Sequence, residues 1–332
     1  MDPAKLFPKL RLLRLSLHIS ANNGLPPQFY LGSTWRGILG WELKRLVCPF
    51  SKSTKCLDCL IQDNCPYHVL FEKKTELPGI LDAPRGYVLY SPLAPDSQDL
   101  QLEITLLGTC AGFAPAVLQA LVLAQKRGLG KEHLQFRIQE TVEFTPSGTN
   151  CLSKKQDPLT RLQGPFSLSD WLRELPQQQA SSYRLRLPTP LRLRRQGKYL
   201  GELDLSFMFL CLARRLEALS CIFSQGQPLG RKQWLELDHF FKSLQENGAG
   251  NGKNSAFVHK DLKWDDFARF SRRQKKKVPL GGLVGECWFE SDMPNLQRWL
   301  KCAELVHVGK GAAMGLGKVK ITGDEPQRPE NW

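Results

Sequence analysis

Four cysteines lie close together in the first third of the chain. Cys48, Cys56, Cys59 and Cys65 have the spacing C-x7-C-x2-C-x5-C. Thiolates so placed can surround one tetrahedral ion, and zinc is the metal that suits this geometry. Four protein ligands leave no position for water, so the site would be structural and not catalytic. His68 follows closely and is a substitute ligand. The competing reading is a loop of reduced cysteines; a short loop with little core needs a staple, which favours the metal. The other six cysteines are scattered, as packed thiols are.

Cations form the second constellation. Arg184, Arg186, Arg192, Arg194, Arg195 and Lys198 occupy one strand-like stretch with no acid between them. Residues two apart share a strand face, which pairs Arg184 with Arg186 and Arg192 with Arg194. Residues 269–277, RFSRRQKKK, add Arg269, Arg272, Arg273, Lys275, Lys276 and Lys277. Trp264, Phe270 and Trp288 stand near them in sequence. Cations for phosphates and rings for unpaired bases are what single-stranded RNA requires. A lone basic run is usually solvated charge; two in one half of a basic chain favour binding.

Near the C-terminus the chain reads VHVGKGAAMGLGKV, with Gly309, Gly311, Gly315 and Gly317 in the pattern G-x-G-x3-G-x-G. Glycines permit positive φ and close backbone approach, and free N–H groups of such a loop can hold phosphate beside Lys310 and Lys318. No GK[ST] follows, and the segment precedes a strand instead of opening a long helix, so it is neither a Walker loop nor a dinucleotide fingerprint. Nothing here asks for a small-molecule cofactor.

The 332 residues fit two domains. Lys plus Arg number 46 against 32 Asp plus Glu, a net charge of +14 that points to a polyanionic partner. Nucleic acid and an anionic membrane surface are the two candidates; the longest apolar runs are expected to fall far short of a bilayer span, and the expected partner is nucleic acid, with no membrane. Met1 to Lys9 lacks the apolar core of a secretory signal. The expected location is the cytoplasm, where thiols stay reduced.

The elements that must position these groups follow from periodicity. Leu10 to Ile19 alternates as a strand. Ser33 is placed to cap a helix to Val47 whose apolar stripe is Trp35, Ile38, Leu39, Leu43 and Leu46, leaving Trp41, Lys44 and Arg45 on the other face. After the cysteine insertion (48–71), residues 86–91 and 100–107 read as strands, 114–126 as a helix and 134–144 as a strand. That order, β-α-β-β-α-β, is ferredoxin-like. A less regular second set follows a linker: strand-like 183–195, helices 203–223 and 231–245, strand 280–290, short helix 295–301 and strand 318–321. The expected fold class is α+β, two tandem ferredoxin-like domains at 1–150 and 181–332 joined by 151–180, with a zinc insertion in the first.

A glycine-rich loop before the last strand of a second ferredoxin-like domain resembles the RAMP superfamily of CRISPR proteins. Residues 264–319, through RFSRRQ (269–274), LGGLVGE (280–286) and VHVGKGAAMGLGKV, look like the C-terminal domain of the precursor-crRNA processing endoribonucleases, the "Cas six" family. STWRGILGWELKRLVC, KCLDC and CPYHVLFE resemble the branch with a cysteine insertion, and the Thr189-Pro190 pair also fits. Only the linker and residues 225–262 match poorly.

The resemblance implies cleavage of CRISPR repeat RNA without a metal. The 2′-hydroxyl attacks the adjacent phosphate, leaving a 2′,3′-cyclic phosphate and a 5′-hydroxyl, and the product is retained. Other CRISPR effector subunits are the implied protein partners. Such chemistry needs a proton acceptor, a proton donor and cations. Relatives often place a histidine in or near the first helix, whereas here residues 33–47 contain none and Trp41 stands at that place. His259 ranks first among the remaining histidines, ahead of His239 and His18, with Lys44 and Arg45 as charge stabilisers. His307, between two valines, points toward RNA or serves structure. The missing histidine also admits a second reading, a non-catalytic RAMP subunit that binds crRNA.

Overall fold

A computed structural model of the chain describes residues 1–21, 30–50, 55–74, 83–92, 99–130, 133–152, 162–175, 181–246, 257–266, 268–271 and 276–323. A short helix α1 (Pro3–Leu6) leads into β1 (Arg11–Ala21), α2 (Gly32–Val47), β2 (Tyr87–Tyr90), β3 (Asp99–Leu107), α3 (Ala114–Arg127) and β4 (Phe136–Thr145). The sheet order is β2-β3-β1-β4, extended by β5 (Gly148–Leu152), and every neighbour is antiparallel. This is the ferredoxin-like arrangement that the periodicity predicts. Leu15 and Leu17 of β1 face Ile104 and Leu102 of β3. These side chains share one core with Trp35, Leu39 and Leu43 of α2 and Val117 and Leu121 of α3.

Two details of α2 depart from expectation. The helix begins at Gly32, Leu31 is its N-cap, and Ser33 makes no capping bond. Gly32 is fixed because a Cβ there would run into the Met314 carbonyl. Leu46 is 40% exposed and so lies outside the buried stripe. A third departure concerns apolar length. The helical stretch Gly108–Arg127 spans 20 residues and is long and apolar enough to cross a membrane by length and composition. Its Ala114, Val117, Leu118, Ala120, Leu121 and Ala124 are buried in the protein core.

The stretch expected as a linker contributes structure of its own. Strand β6 (Phe166–Ser167) pairs with the start of β1. Helix α4 (Leu168–Arg173) begins on a capping box between Ser167 and Asp170. Fully buried Glu143 of β4 anchors this segment, accepting from the N–H groups of Gln163 and Gly164 and from Asn150 Nδ2.

The second half runs β7 (Ser182–Leu191), a hairpin of β8 (Arg194–Arg195) and β9 (Lys198–Tyr199), α5 (Leu205–Phe223), α6 (Arg231–Glu246), β10 (Phe257–Asp265), a hairpin of β11 (Ala268–Ser271) and β12 (Lys276–Pro279), β13 (Gly282–Glu290), α7 (Leu296–Val306) and β14 (Lys320–Gly323). Its sheet order, β10-β13-β7-β14, repeats that of the first sheet. The fold is two tandem ferredoxin-like units with α6 and two hairpins added. Strand β10 is absent from the sequence expectation, and α7 extends five residues beyond the expected Lys301. One continuous hydrophobic cluster runs through both halves.

Candidate nucleic-acid interface

Strand β7 turns Tyr183, Leu185 and Leu187 into the core and Arg184 and Arg186 to solvent. Register then sets two rows across the open face. Arg184 lies between Trp288 of β13 and Thr322 of β14, with His259 of β10 beyond Trp288. Arg186 lies between Glu286 and Lys320, with Asp261 beyond Glu286. The Arg184 guanidinium sits 4.9 Å from the Trp288 ring centroid and donates to both Glu286 carboxylate oxygens, at 2.8 and 3.0 Å from Nη2. The His259 ring meets Trp288 edge-on at 4.9 Å. Arg186 and Lys320 are exposed and have no ion-pair partner among the described residues. An indole flanked by guanidinium and imidazole, one row away from two exposed cations, can stack an unpaired base and hold its phosphates.

Arg186 also approaches the first domain. Burial, with Glu103, pushes the Tyr90 hydroxyl up to about 12, and Arg186 opposes it. Where the halves meet, charge is paired, with Lys318 buried and Arg14 and Glu103 partly buried. Arg14 of β1 lies 3.4 Å from Glu103 of β3. Lys318 lies 3.8 Å from the same carboxylate and donates to the Glu304 carbonyl at 3.2 Å. Burial brings the Lys318 ammonium down to about 8, with Glu103 opposing. Lys318 is therefore not the phosphate-facing cation that its place beside the glycines suggests.

The basic stretch 184–198 divides into two environments. Arg192 and Arg194 do not share an exposed face: β7 ends at Leu191, Arg192 is buried 4.5 Å from the Tyr199 ring, and Arg194 is exposed with Nε on the Gly197 carbonyl. Arg195 pairs with Asp204 at 3.3 Å and lies 4.3 Å from the Phe207 ring. The run 269–277 forms the β11–β12 hairpin, which aligns Arg269 with Val278, Phe270 with Lys277 and Ser271 with Lys276. Arg272, Arg273 and Lys275 lie outside the described residues.

The glycine segment is a wedge between the two sheets. Gly309, Gly311, Gly315 and Gly317 all have φ between +65° and +87°, where a side chain is strained. A Cβ on Gly315 would strike the Leu89 carbonyl of β2, and one on Gly317 the Val308 carbonyl. Thr189 Oγ1 donates to the Gly315 carbonyl at 2.8 Å and accepts from Lys318 N–H at 3.0 Å. The N–H groups of Lys310, Gly315 and Gly317 already serve the carbonyls of Arg192, Ala312 and Pro190. Gly315 and Gly317 thus act in packing and present no spare donor. Lys310 stays exposed at the lip between half-buried Gly309 and Gly311. His307 is buried against Tyr90, with Nδ1 3.2 Å from the Leu316 carbonyl; burial and Lys318 hold its pKa well below the usual value. Its role is structural, and it does not point outward toward RNA.

On α2, Trp41 is 57% exposed with the Arg127 guanidinium 4.6 Å from its ring. Lys44 lies 5.2 Å from the Tyr67 ring, and Arg45 pairs with Glu42 at 2.9 Å. His259 stands on the other domain's sheet. The three groups expected to share chemistry therefore occupy separate elements with separate neighbours. His18 and His239 lie on β1 and α6, away from that row.

Cys48, Cys56, Cys59 and Cys65 line a single small cavity together with His68. Burial pushes the Cys56 thiol up, opposed by Lys44. Among the described residues no group of three or more His, Cys, Asp or Glu is in a metal-holding arrangement, so an ion would have to draw these donors inward. They fit a metal in kind, because His68 Nε2 is buried without a hydrogen-bond partner.

Sequence reasoning reached Arg184, Arg186 and His259 but not Glu286, Lys320 or Arg127. Alternation in β13 and β14 carried a signal for the first two, whereas the Arg127–Trp41 contact depends on the packing of α3 against α2.

Two ferredoxin-like sheets in tandem, with a glycine wedge before the last strand and an open cationic face, define a RAMP-type protein. Residues 185–319 match the family described as CRISPR-associated endoribonuclease Cas6. Residues 9–163 match an N-terminal domain family designated AF_1859_N. The C-terminal half of the chain, residues 185–319, belongs to the Cas6 family. No curated protein sequence matches it. Among solved structures, Thermus thermophilus Cas6 is similar at 15% identity and TM-score 0.52, covering 94% of this chain and 99% of that one. A product complex of the same protein is similar at 19% identity and TM-score 0.56, with the same coverage. A partial Cas6-RT-Cas1–Cas2 complex aligns at 10% identity and TM-score 0.52, covering 95% of this chain and 46% of that one. At these identities the structures speak for the fold, which they share.

Proposed function

We propose that this protein recognises CRISPR repeat RNA and cuts it by attack of a ribose 2′-oxygen on the adjacent phosphate, without a metal. The bond formed is 2′-O–P and the bond broken is P–5′-O. The products are a 2′,3′-cyclic phosphate and a free 5′-hydroxyl, and the proton lost from the 2′-oxygen balances the one gained by the leaving group. The observation that carries this reading is the open face of the C-terminal sheet. There His259, Trp288 and Arg184 touch in one row, and Arg186 and Lys320 lie in the next. His259 is the candidate proton-transfer group. Trp288 stacks a base beside the cut, and the cations bind the phosphates.

Trp41 with Arg127, and Lys44 with Arg45, form a second contact surface on α2 for the same RNA. One of the similar Cas6 structures is a product complex, which supports retention of the processed RNA here. Another is an assembly with Cas1 and Cas2, which supports CRISPR protein partners. The cysteine insertion holds one structural zinc. Because α2 carries no histidine, a crRNA-binding subunit without cleavage is the alternative.

Incubation of end-labelled repeat RNA with the protein in EDTA separates the two. Cleavage leaving a cyclic phosphate, abolished by a 2′-deoxy substitution at the cut, is the expected result. Tight binding with the RNA left intact supports the alternative.

A further inference from the structure

We propose that the metal ligands of the insertion are Cys56, Cys59, Cys65 and His68, with Cys48 outside the set; this rests on the structural-zinc reading above. His68 opens a single π-helical turn, His68–Glu72, and is 6% exposed. Its Nδ1 lies 2.9 Å from the Gln62 carbonyl oxygen. A carbonyl only accepts, so Nδ1 carries the ring proton and Nε2 presents a bare lone pair. That Nε2 is buried and has no hydrogen-bond partner. A ligated ion would occupy that lone pair and remove the penalty of leaving a buried polar atom unpartnered. One ring nitrogen on a backbone carbonyl and the other on a metal is the usual arrangement of a metal-bound imidazole.

The neighbouring chain supports the same set. Cys56, Cys59 and Cys65 sit at the ends of two short 3-10 turns, Cys56–Asp58 and Gln62–Asn64, which pack against the His68 turn. The resulting pattern is C-x2-C-x5-C-x2-H, and all four side chains line one cavity. Cys48 lines the same cavity but stands outside these turns, at the end of α2, and its Sγ lies 3.8 Å from the Phe50 carbonyl, an acceptor for its own S–H.

The full chain, grown with zinc, is compared with Cys48→Ser, His68→Ala and His68→Cys by metal analysis and by the absorption of the cobalt-substituted forms. Wild type and Cys48→Ser are expected to hold one equivalent each, with the same sulfur-to-cobalt band. His68→Ala should weaken metal binding by more than about tenfold, a loss that even an outer-shell partner can produce. His68→Cys should recover the metal with a stronger sulfur-to-cobalt band, a change that a merely structural histidine would not produce. If Cys48→Ser loses the metal while His68→Ala keeps it with an unchanged spectrum, the ligands are the four cysteines; this inference fails and the zinc reading stands. Less than about half an equivalent on folded wild type overturns both.

Discussion

In the N-terminal sheet, Arg14 of β1 and Glu103 of β3 meet at 3.4 Å where the second domain covers them, and Lys318 joins the same carboxylate at 3.8 Å. In the C-terminal sheet the matching rows carry exposed Arg186 and Lys320, with Arg184 lying over Trp288. Both sheets have the same strand order. The first uses its charges to join the two halves, where a lost partner leaves an ion buried. The second leaves its cations in water, where they are available to a polyanion. Strand order alone therefore does not distinguish the two sheets; the proposed RNA-binding sheet is set apart by the cations that stay exposed beside an aromatic ring.

Breaking the buried half of this comparison should have the largest effect. Glu103→Ala leaves Arg14 and Lys318 without their carboxylate and should cost about 3–5 kcal/mol of stability, as loss of one partner from a buried pair does. A denaturant titration reads this, and RNA affinity of the folded fraction should stay within about twofold of wild type. The Lys318 ammonium gives the next largest effect. Its pKa falls to about 8 from the usual 10.5, so between those values the unfolded chain holds a proton that the folded chain has released. Stability should therefore rise with pH from 8 to 10.5 by about 3 kcal/mol, with the penalty fully present below pH 8. Lys318→Met should flatten this rise in unfolding curves recorded across that range.

The open face should respond in binding and not in stability. Trp288→Ala should weaken binding of single-stranded repeat RNA by about 1–3 kcal/mol, the value of one stacked base, with the unfolding midpoint little changed. Equal losses in both measurements would mean that Trp288 belongs to the core. The smallest effect sharpens the charge argument. Replacing Arg186 and Lys320 together with Ala should reduce the slope of log affinity against log salt by about 1.4, at roughly 0.7 per phosphate on single strands. An unchanged slope would place the phosphates elsewhere.

The first domain is legible in the sequence because its strands and helices bury one face each, so Leu15, Leu17, Leu102 and Ile104 recur at the expected period. Strand β10 is hidden because FVHKDLKWD is an exposed edge strand with little apolar alternation. The site is half legible. Alternation places Arg184 and Arg186 on one face, yet the contacts to Glu286, Trp288 and His259 come from register between distant segments. Lys318 and His307 mislead because they lie next to the glycines in sequence and under the first domain in space. The glycine segment has the composition of a phosphate loop, but its N–H groups mostly serve carbonyls of its own fold. The cysteine spacing is plain, while the orphaned Nε2 of His68 is visible only in three dimensions.

RNA is proposed to lie on the C-terminal sheet. Equilibrium binding of labelled repeat RNA to the triple variant Arg186→Ala, Lys320→Ala and Trp288→Ala tests it most directly. The expected result is an affinity loss of about a hundredfold or more, with an unfolding midpoint equal to that of wild type. Affinity within about twofold of wild type on an intact fold would contradict it.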